Sequence, residues 1–344
     1  MFPFASLVAA ALVFASSAAA APGLSIGVSA PASFSGVQEL KISTTLTNTG
    51  SEVLRVLNDP ESILNELDTD SFDITSSSGA HPAFNGAITK YSPEIAAKDG
   101  GFTTLQAGES VTLTHDLSTT YNFTAAGADD YTFTPRNSFF IVKDDGSIET
   151  IEAETEAVEA SVSGLLALEK RRVEKRATFP SCTAARITTT TTAYGAAASI
   201  ATAANSYLAA NTGATTRYTT WFGAENASRR STVVSHFQKI SASNWGSFAY
   251  DCSCTMSGTY AYVYANQPGT IWLCPVFWST TTTGTDSRAG TLVHEASHWT
   301  VNGGTRDNVY GQSGAKNLAI SNPASAVANA DNHEYFAENT PNLP

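Results

Sequence analysis

Positive charge is scarce in this sequence: 19 Lys and Arg stand against 31 Asp and Glu, and the formal charge is −12. A protein that clasps nucleic acid presents a basic face to phosphate, so that class is excluded. Long apolar runs are missing too. Beyond the first residues none approaches the ~20 needed to span a bilayer, which excludes a multipass membrane protein. Cysteine is sparse: Cys182, Cys252, Cys254 and Cys274 are all that 344 residues contain. The first half therefore holds no thiolate with which to block a metal site.

The little charge there is falls unevenly. From Thr178 to Pro344 there are eight bases and eight acids, which leaves 11 bases and 23 acids for the first half. A step of this kind marks two units with different tasks. The opening run MFPFASLVAAALVFASSAAAA has the apolar core and small-residue end of a secretory signal peptide, cleaved near Ala18-Ala19-Ala20. It lacks Lys and Arg, so only the amino terminus supplies positive charge. Between the halves stands LEKRRVEKRATFPSC, whose pairs Lys170-Arg171-Arg172 and Lys175-Arg176 suit a processing protease. The predicted layout is a signal peptide over 1–20, an acidic β-rich propeptide over 21–176 and a catalytic unit over 177–344.

Within 22–165, LKISTTLTNTG, SVTLTHDLS, DDYTFTP and FFIVKDD alternate apolar and polar residues between Gly, Asp, Asn and Pro, which predicts strands. Nothing in this half reads as chemistry. His81 and His115 lie there without partners that would make a metal site. The second half opens with AYGAAASIATAANSYLAAN and STVVSHFQKI, which read as helices. The β-branched run Thr188–Thr192 leaves the first boundary open. FAYDCSC, TYAYVYA and TIWLC read as strands of a small sheet. Four cysteines in a secreted chain imply two disulfides. Joining Cys252 to Cys254 is disfavoured, because alternate residues of an extended segment point the same way. Of the two remaining pairings, Cys182–Cys252 with Cys254–Cys274 is favoured. Asn226-Ala-Ser and Asn122-Phe-Thr are glycosylation sequons.

One segment carries chemistry. His294-Glu295-Ala296-Ser297-His298 is an HExxH sequence. On a helix, residues four apart share a face, so both imidazoles can meet one ion, and Glu295 can reach its water as general base. A catalytic zinc needs a third protein ligand. The long motif with Gly three and His six residues past the second His is ruled out, since Val301 and Gly304 stand there. Glu334, Glu338 and Asp307 remain as candidates. Asp307 is the nearest, and the Gly303-Gly304 turn can fold the chain back toward the metal.

HEASH, followed by Gly304-Thr305-Arg306-Asp307 and then Tyr310-Gly311, resembles the aspzincin family, the deuterolysin-type fungal metalloendopeptidases, closest to its peptidyl-Lys branch. RYTTWFG, GTDSRAGTLVHE and NADNHEYFAEN extend the likeness over most of 178–344. The resemblance implies an α+β fold: a zincin-like catalytic domain, mainly helical with a small disulfide-braced sheet, after a β-rich propeptide domain. It implies one Zn2+ held by His294, His298 and Asp307, with Glu295 as base and Tyr310 as oxyanion donor. The same disulfide pairing follows from it. Asp331 and Glu334 share a helix face, and the resemblance makes them the pocket for a lysine C-terminal to the scissile bond. On the residues alone, Asp-x-x-Glu is also a helix capping pattern. His333 between them reads as a surface or outer histidine, and His236 as structural.

The expectation is a secreted, monomeric zinc endopeptidase made as a zymogen, cutting on the amino side of lysine. Its partners would be peptide substrates and its own propeptide, with neither nucleic acid nor membrane. A broader preference for basic residues, or a secreted binding module without activity, are the alternatives.

Overall fold

The computed structural model describes residues 23–168 and 178–344. The expected signal peptide and the dibasic stretch through Arg176 lie outside the described residues. The first half builds three four-stranded sheets. Their strands follow from alternation. Lys41–Asn48, for example, buries every second residue, because side chains of a strand point to opposite faces in turn. Strands also form at Ser110–Asp116, Asp129–Pro135 and Ser138–Val142, where the pattern predicts them. Phe34, Ile42, Ile74, Tyr131 and Phe133 fill one core of this half, and Leu24, Leu46, Val56 and Phe139 another.

The second half is organised around one buried helix. Arg288–His298 carries the HExxH segment, and every residue from Ala289 to His298 is buried. Helices Ala184–Ala210 and Ala330–Glu338 pack on it. The long helix turns Ala193, Ala197, Ala201, Ala204 and Leu208 inward. These are spaced as one helix face, and their small side chains let the axes approach closely. The Thr188–Thr192 run, a poor helix former, is helical all the same. Thr183 caps the helix, and Thr188 and Thr192 return hydroxyl hydrogen bonds to the carbonyls of Ala184 and Thr188. Tertiary packing decides here against propensity.

Disulfides join Cys182 to Cys252 and Cys254 to Cys274, the favoured pairing. They fasten the small sheet, whose strands are Ala249–Asp251, Thr270–Leu273 and Thr259–Tyr264 in spatial order. This sheet has a fourth strand that the sequence did not suggest. Ala87–Tyr91, from the first half, runs antiparallel along the free edge of Thr259–Tyr264, with Lys90 opposite Ala261 and Thr89 opposite Tyr262. All five of its residues are buried. A strand buried on both faces does not alternate, which is why AITKY gave no signal.

Among the described residues, no helix is long and apolar enough to cross a membrane.

Candidate active site

The helix ends at His298, and the chain then reverses. The amides of Asn302, Gly303 and Gly304 all donate to the Trp299 carbonyl. Gly304 has φ +61°, and a Cβ on Gly303 would stand 2.9 Å from the Ser297 carbonyl oxygen and 3.2 Å from the His236 ring. Glycine meets both demands without strain. The returning strand is pinned on two sides. Thr305 donates its amide to the Ser297 carbonyl, and the two hydroxyls meet at 2.6 Å. Arg306 exchanges backbone hydrogen bonds with Ala328 and Ala330, and Asn329 Oδ1 accepts from the amides of Asn308 and Val309. Asp307 is thereby held over the two imidazoles.

His294 Nε2 lies 3.1 Å from Asp307 Oδ1, and His298 Nε2 lies 3.4 Å from Asp307 Oδ2. All three side chains are at most 1% exposed. Donors about 2.0–2.1 Å from a tetrahedral zinc stand about 3.3 Å apart, so these spacings suit one ion. The chemistry agrees. His298 Nδ1 lies 2.9 Å from the Thr305 carbonyl oxygen. A carbonyl only accepts, so Nδ1 carries the proton and Nε2 keeps its lone pair for a metal. Both Nε2 atoms and both Asp307 oxygens are buried without a hydrogen-bond partner. Buried polar atoms are rarely left so unless something else binds them. Asp307 is held below the usual carboxylate range: burial opposes its charge, but His298 and His294 outweigh burial. Both carboxylate oxygens of Glu295 are equally unpaired, and burial pushes its acid well above the usual range.

The other expected residues fall close by. His294 Nδ1 lies 2.8 Å from Asp331 Oδ1 and 3.2 Å from Glu334 Oε2. Asp331 also accepts the Gly311 amide at 2.6 Å. It is not a helix cap: the cap of Ala330–Glu338 is Asn329, and Asp331 lies inside the first turn. Glu338, a candidate ligand by sequence, is used elsewhere. It accepts from the Ser287 amide and hydroxyl and from the Asp286 amide, fastening the start of the HExxH helix. His333 is not at the surface. It is fully buried, its Nε2 3.0 Å from His236 Nδ1, among the rings of Phe222 and Phe237. Burial is affordable because neither imidazole needs to be charged there. Burial carries His236 down to about 4 and His333 to about 3. His115 bonds the Thr44 hydroxyl and His81 the Ile74 carbonyl, both within the first half. Asn226 caps helix Ala227–Ser241, and Asn122 lies in a short strand.

Sequence reasoning missed several residues here. Lys90 of the first half reaches into this site, its Nζ 2.6 Å from both Glu334 oxygens and 3.4 Å from Asp286 Oδ1. Burial opposes its charge, yet Glu334, Asp331 and Asp286 hold its ammonium well above the usual value. The Tyr260 ring lies 4.6 Å beneath the ammonium, and the Tyr335 hydroxyl donates to Asp286 at 2.6 Å. Asp286 sits in the GTDSRAG stretch. Gly290 is the other omission. A Cβ there would stand 2.0 Å from Glu338 Oε1 and 2.9 Å from Glu334 Oε1. Alanine normally gains about 1 kcal/mol over glycine in a helix. The clash reverses the sign: Gly290→Ala should lose about 1–3 kcal/mol, read as a Tm lowered by several degrees in calorimetry.

Two imidazoles on one helical face, a returning aspartate and an adjacent glutamate define a metal-dependent hydrolase of the HExxH class. Residues 207–338 match the aspzincin family, described as lysine-specific metallo-endopeptidase. The chain is 48% identical over 328 residues to a peptidyl-Lys metalloendopeptidase of Armillaria mellea, covering 94% of this chain and 93% of that one. It is 46% identical over 345 residues to a peptidyl-Lys metalloendopeptidase of Grifola frondosa, covering 98% and 99%. A solved zinc peptidase from Grifola frondosa is 52% identical with a TM-score of 0.47, covering 47% of this chain and all of that one. The chain belongs to the aspzincin family. It is a zinc metalloendopeptidase, and the reading as a binding module without activity is set aside.

Proposed function

We propose that this chain is a secreted endopeptidase, made as a zymogen, that hydrolyses peptide bonds on the amino side of lysine. The observation that carries the reading is the double use of His294. One ring nitrogen faces Asp307 in the metal set, and the other lies against Asp331 and Glu334. The acidic pocket is thus adjacent to the reacting centre. The names carried by the Armillaria and Grifola relatives support the lysine preference.

His294, His298 and Asp307 would hold the zinc, which when bound makes water more acidic and polarises a carbonyl. Glu295 takes the proton of the attacking water and passes it to the leaving amine. Water thus adds to the carbonyl carbon, the C–N bond breaks, and a carboxylate and an amine leave. The Tyr310 hydroxyl donates to the carbonyl oxygen as negative charge gathers on it. Asp331 and Glu334 receive the ammonium of the lysine that follows the cleaved bond, a charge-assisted contact stronger than a neutral hydrogen bond. Residues 1–20 serve export, 21–176 form the propeptide, and cleavage after Lys175-Arg176 releases 177–344 as a monomer. Asn226 and Asn122 are the candidate glycan sites.

Digestion of a protein mixture, with new N-termini mapped by mass spectrometry, tests this. Lysine is expected at nearly all new termini, with loss of activity in a chelator and return with zinc. Arginine appearing as often as lysine would establish the broader specificity, and termini without basic enrichment would defeat the reading.

A further inference from the structure

Lys90 is the only buried lysine among the described residues. Those elsewhere in the first half behave ordinarily: Lys41 and Lys143 are about half exposed or more and pair with Asp116 and Glu149 at the surface. Lys90 instead lies in the pocket assigned above to the substrate's lysine, bonded to Glu334 through both oxygens. Its backbone context matches as well. The residue before it, Thr89, presents its carbonyl oxygen to the Tyr310 hydroxyl at 2.7 Å. Tyr310 is the group assigned to the carbonyl of the bond that breaks. The segment is extended, pairs antiparallel with Thr259–Tyr264, and continues with the Ser92 amide donating to the Gly258 carbonyl at 2.8 Å. Beyond it the chain turns at once into helix Pro93–Lys98, capped by Ser92.

Two groups separately assigned to a substrate, the lysine pocket and the carbonyl donor, therefore converge on one dipeptide. We propose that Ala87–Tyr91 is a built-in pseudosubstrate, with Lys90 filling the lysine pocket and the Thr89–Lys90 bond standing where the scissile bond would lie. The inference rests on the lysine-pocket reading of the same site and extends it to regulation. The first half restrains the enzyme by occupying the cleft in the manner of a substrate. Tethering sets the pseudosubstrate at an effective concentration of about millimolar, so micromolar peptides cannot displace it. The block ends once the halves separate. It also extends the pocket beyond Asp331 and Glu334: the Asp286 carboxylate and the Tyr260 ring are part of the lysine site.

The test uses the full-length, zinc-loaded chain carrying Glu295→Gln, so that no bond is cut, and a fluorescent heptapeptide with one central lysine. Anisotropy should show at least tenfold tighter binding when Lys90→Met is added, and no change with Lys98→Met at an exposed lysine. Equal affinity with and without Lys90→Met, or no binding to either, overturns the inference. Hydrogen exchange on the chain with Lys90 intact avoids dependence on how that variant folds. Excess lysine peptide should deprotect the amides of 87–91, and the same peptide with methionine for lysine should not. Unmoved protection under saturating lysine peptide is a second overturning result. Lysine-specific digestion by the processed enzyme, combined with either failure, removes this inference and leaves the proposed function standing. Digestion without lysine at the new termini removes both.

Discussion

Glu295→Gln should abolish proteolysis while leaving zinc content at one per chain. General-base catalysis contributes ~10²–10⁴-fold, and a glutamine of the same shape cannot accept the proton. Glu295 is in neither group of side chains whose ligand atoms lie close enough to meet one ion: His294, His298 and Asp307, or His294, Asp331 and Glu334. Its carboxylate is buried and makes no hydrogen bond, so replacing it breaks no contact that holds the fold. The measurement pairs metal analysis with kcat/KM on a lysine peptide, using the processed enzyme. A fall of at least a hundredfold with full zinc content fits a base. Retained activity would mean that another group takes the proton, and lost zinc would mean that Glu295 holds the metal.

Much of this site was legible because it is local. HExxH works through the period of a helix, and the placement of His294, Glu295 and His298 follows once residues 288–298 are read as helical. Spacing alone left Asp307 as the nearest of three acids, and the family resemblance singled it out. Spacing does not say that Glu338 ties down Asp286 and Ser287, or that Glu334 faces a lysine, since both facts depend on how helix Ala330–Glu338 packs on the HExxH helix. The same packing hides His333, read from the sequence as a surface or outer histidine, against His236. The strands of the first half were legible where one face is exposed, as in Lys41–Asn48. Ala87–Tyr91 was not, because its partner strand begins near residue 259 and both its faces are covered. A lysine set within an apolar run beside a threonine, in a chain expected to cut before lysine, was the one signal available. It required taking the first half as a possible ligand of the second.

The lysine pocket proposed at Asp331 and Glu334 makes the sharpest demand on one side chain. Glu334 is fully buried and meets the Lys90 ammonium with both oxygens, whereas Asp331 is shared with the Gly311 amide and His294. Glu334 should therefore carry most of the charge recognition. Removing one member of a buried, hydrogen-bonded charge pair costs about 2–5 kcal/mol, because the remaining charge stays desolvated. Glu334→Gln should then lower kcat/KM on lysine peptides by roughly 30-fold to several thousandfold. Its other contact, 3.2 Å to His294 Nδ1, means that a poorer metal site would slow every substrate alike. The ratio between a lysine peptide and the same peptide with methionine at that position separates the two effects. A loss of pocket charge collapses the ratio, because methionine has no ammonium to strand; a disturbed metal site leaves it intact. Asp286→Asn should move the ratio in the same direction by less, since its oxygen lies at 3.4 Å and its side chain is 38% exposed, where solvent screens the attraction. If Asp286→Asn collapsed the ratio and Glu334→Gln did not, the ammonium of a substrate would sit nearer the mouth of the pocket than Lys90 does, and the pairing seen in this chain would not be the one used in turnover.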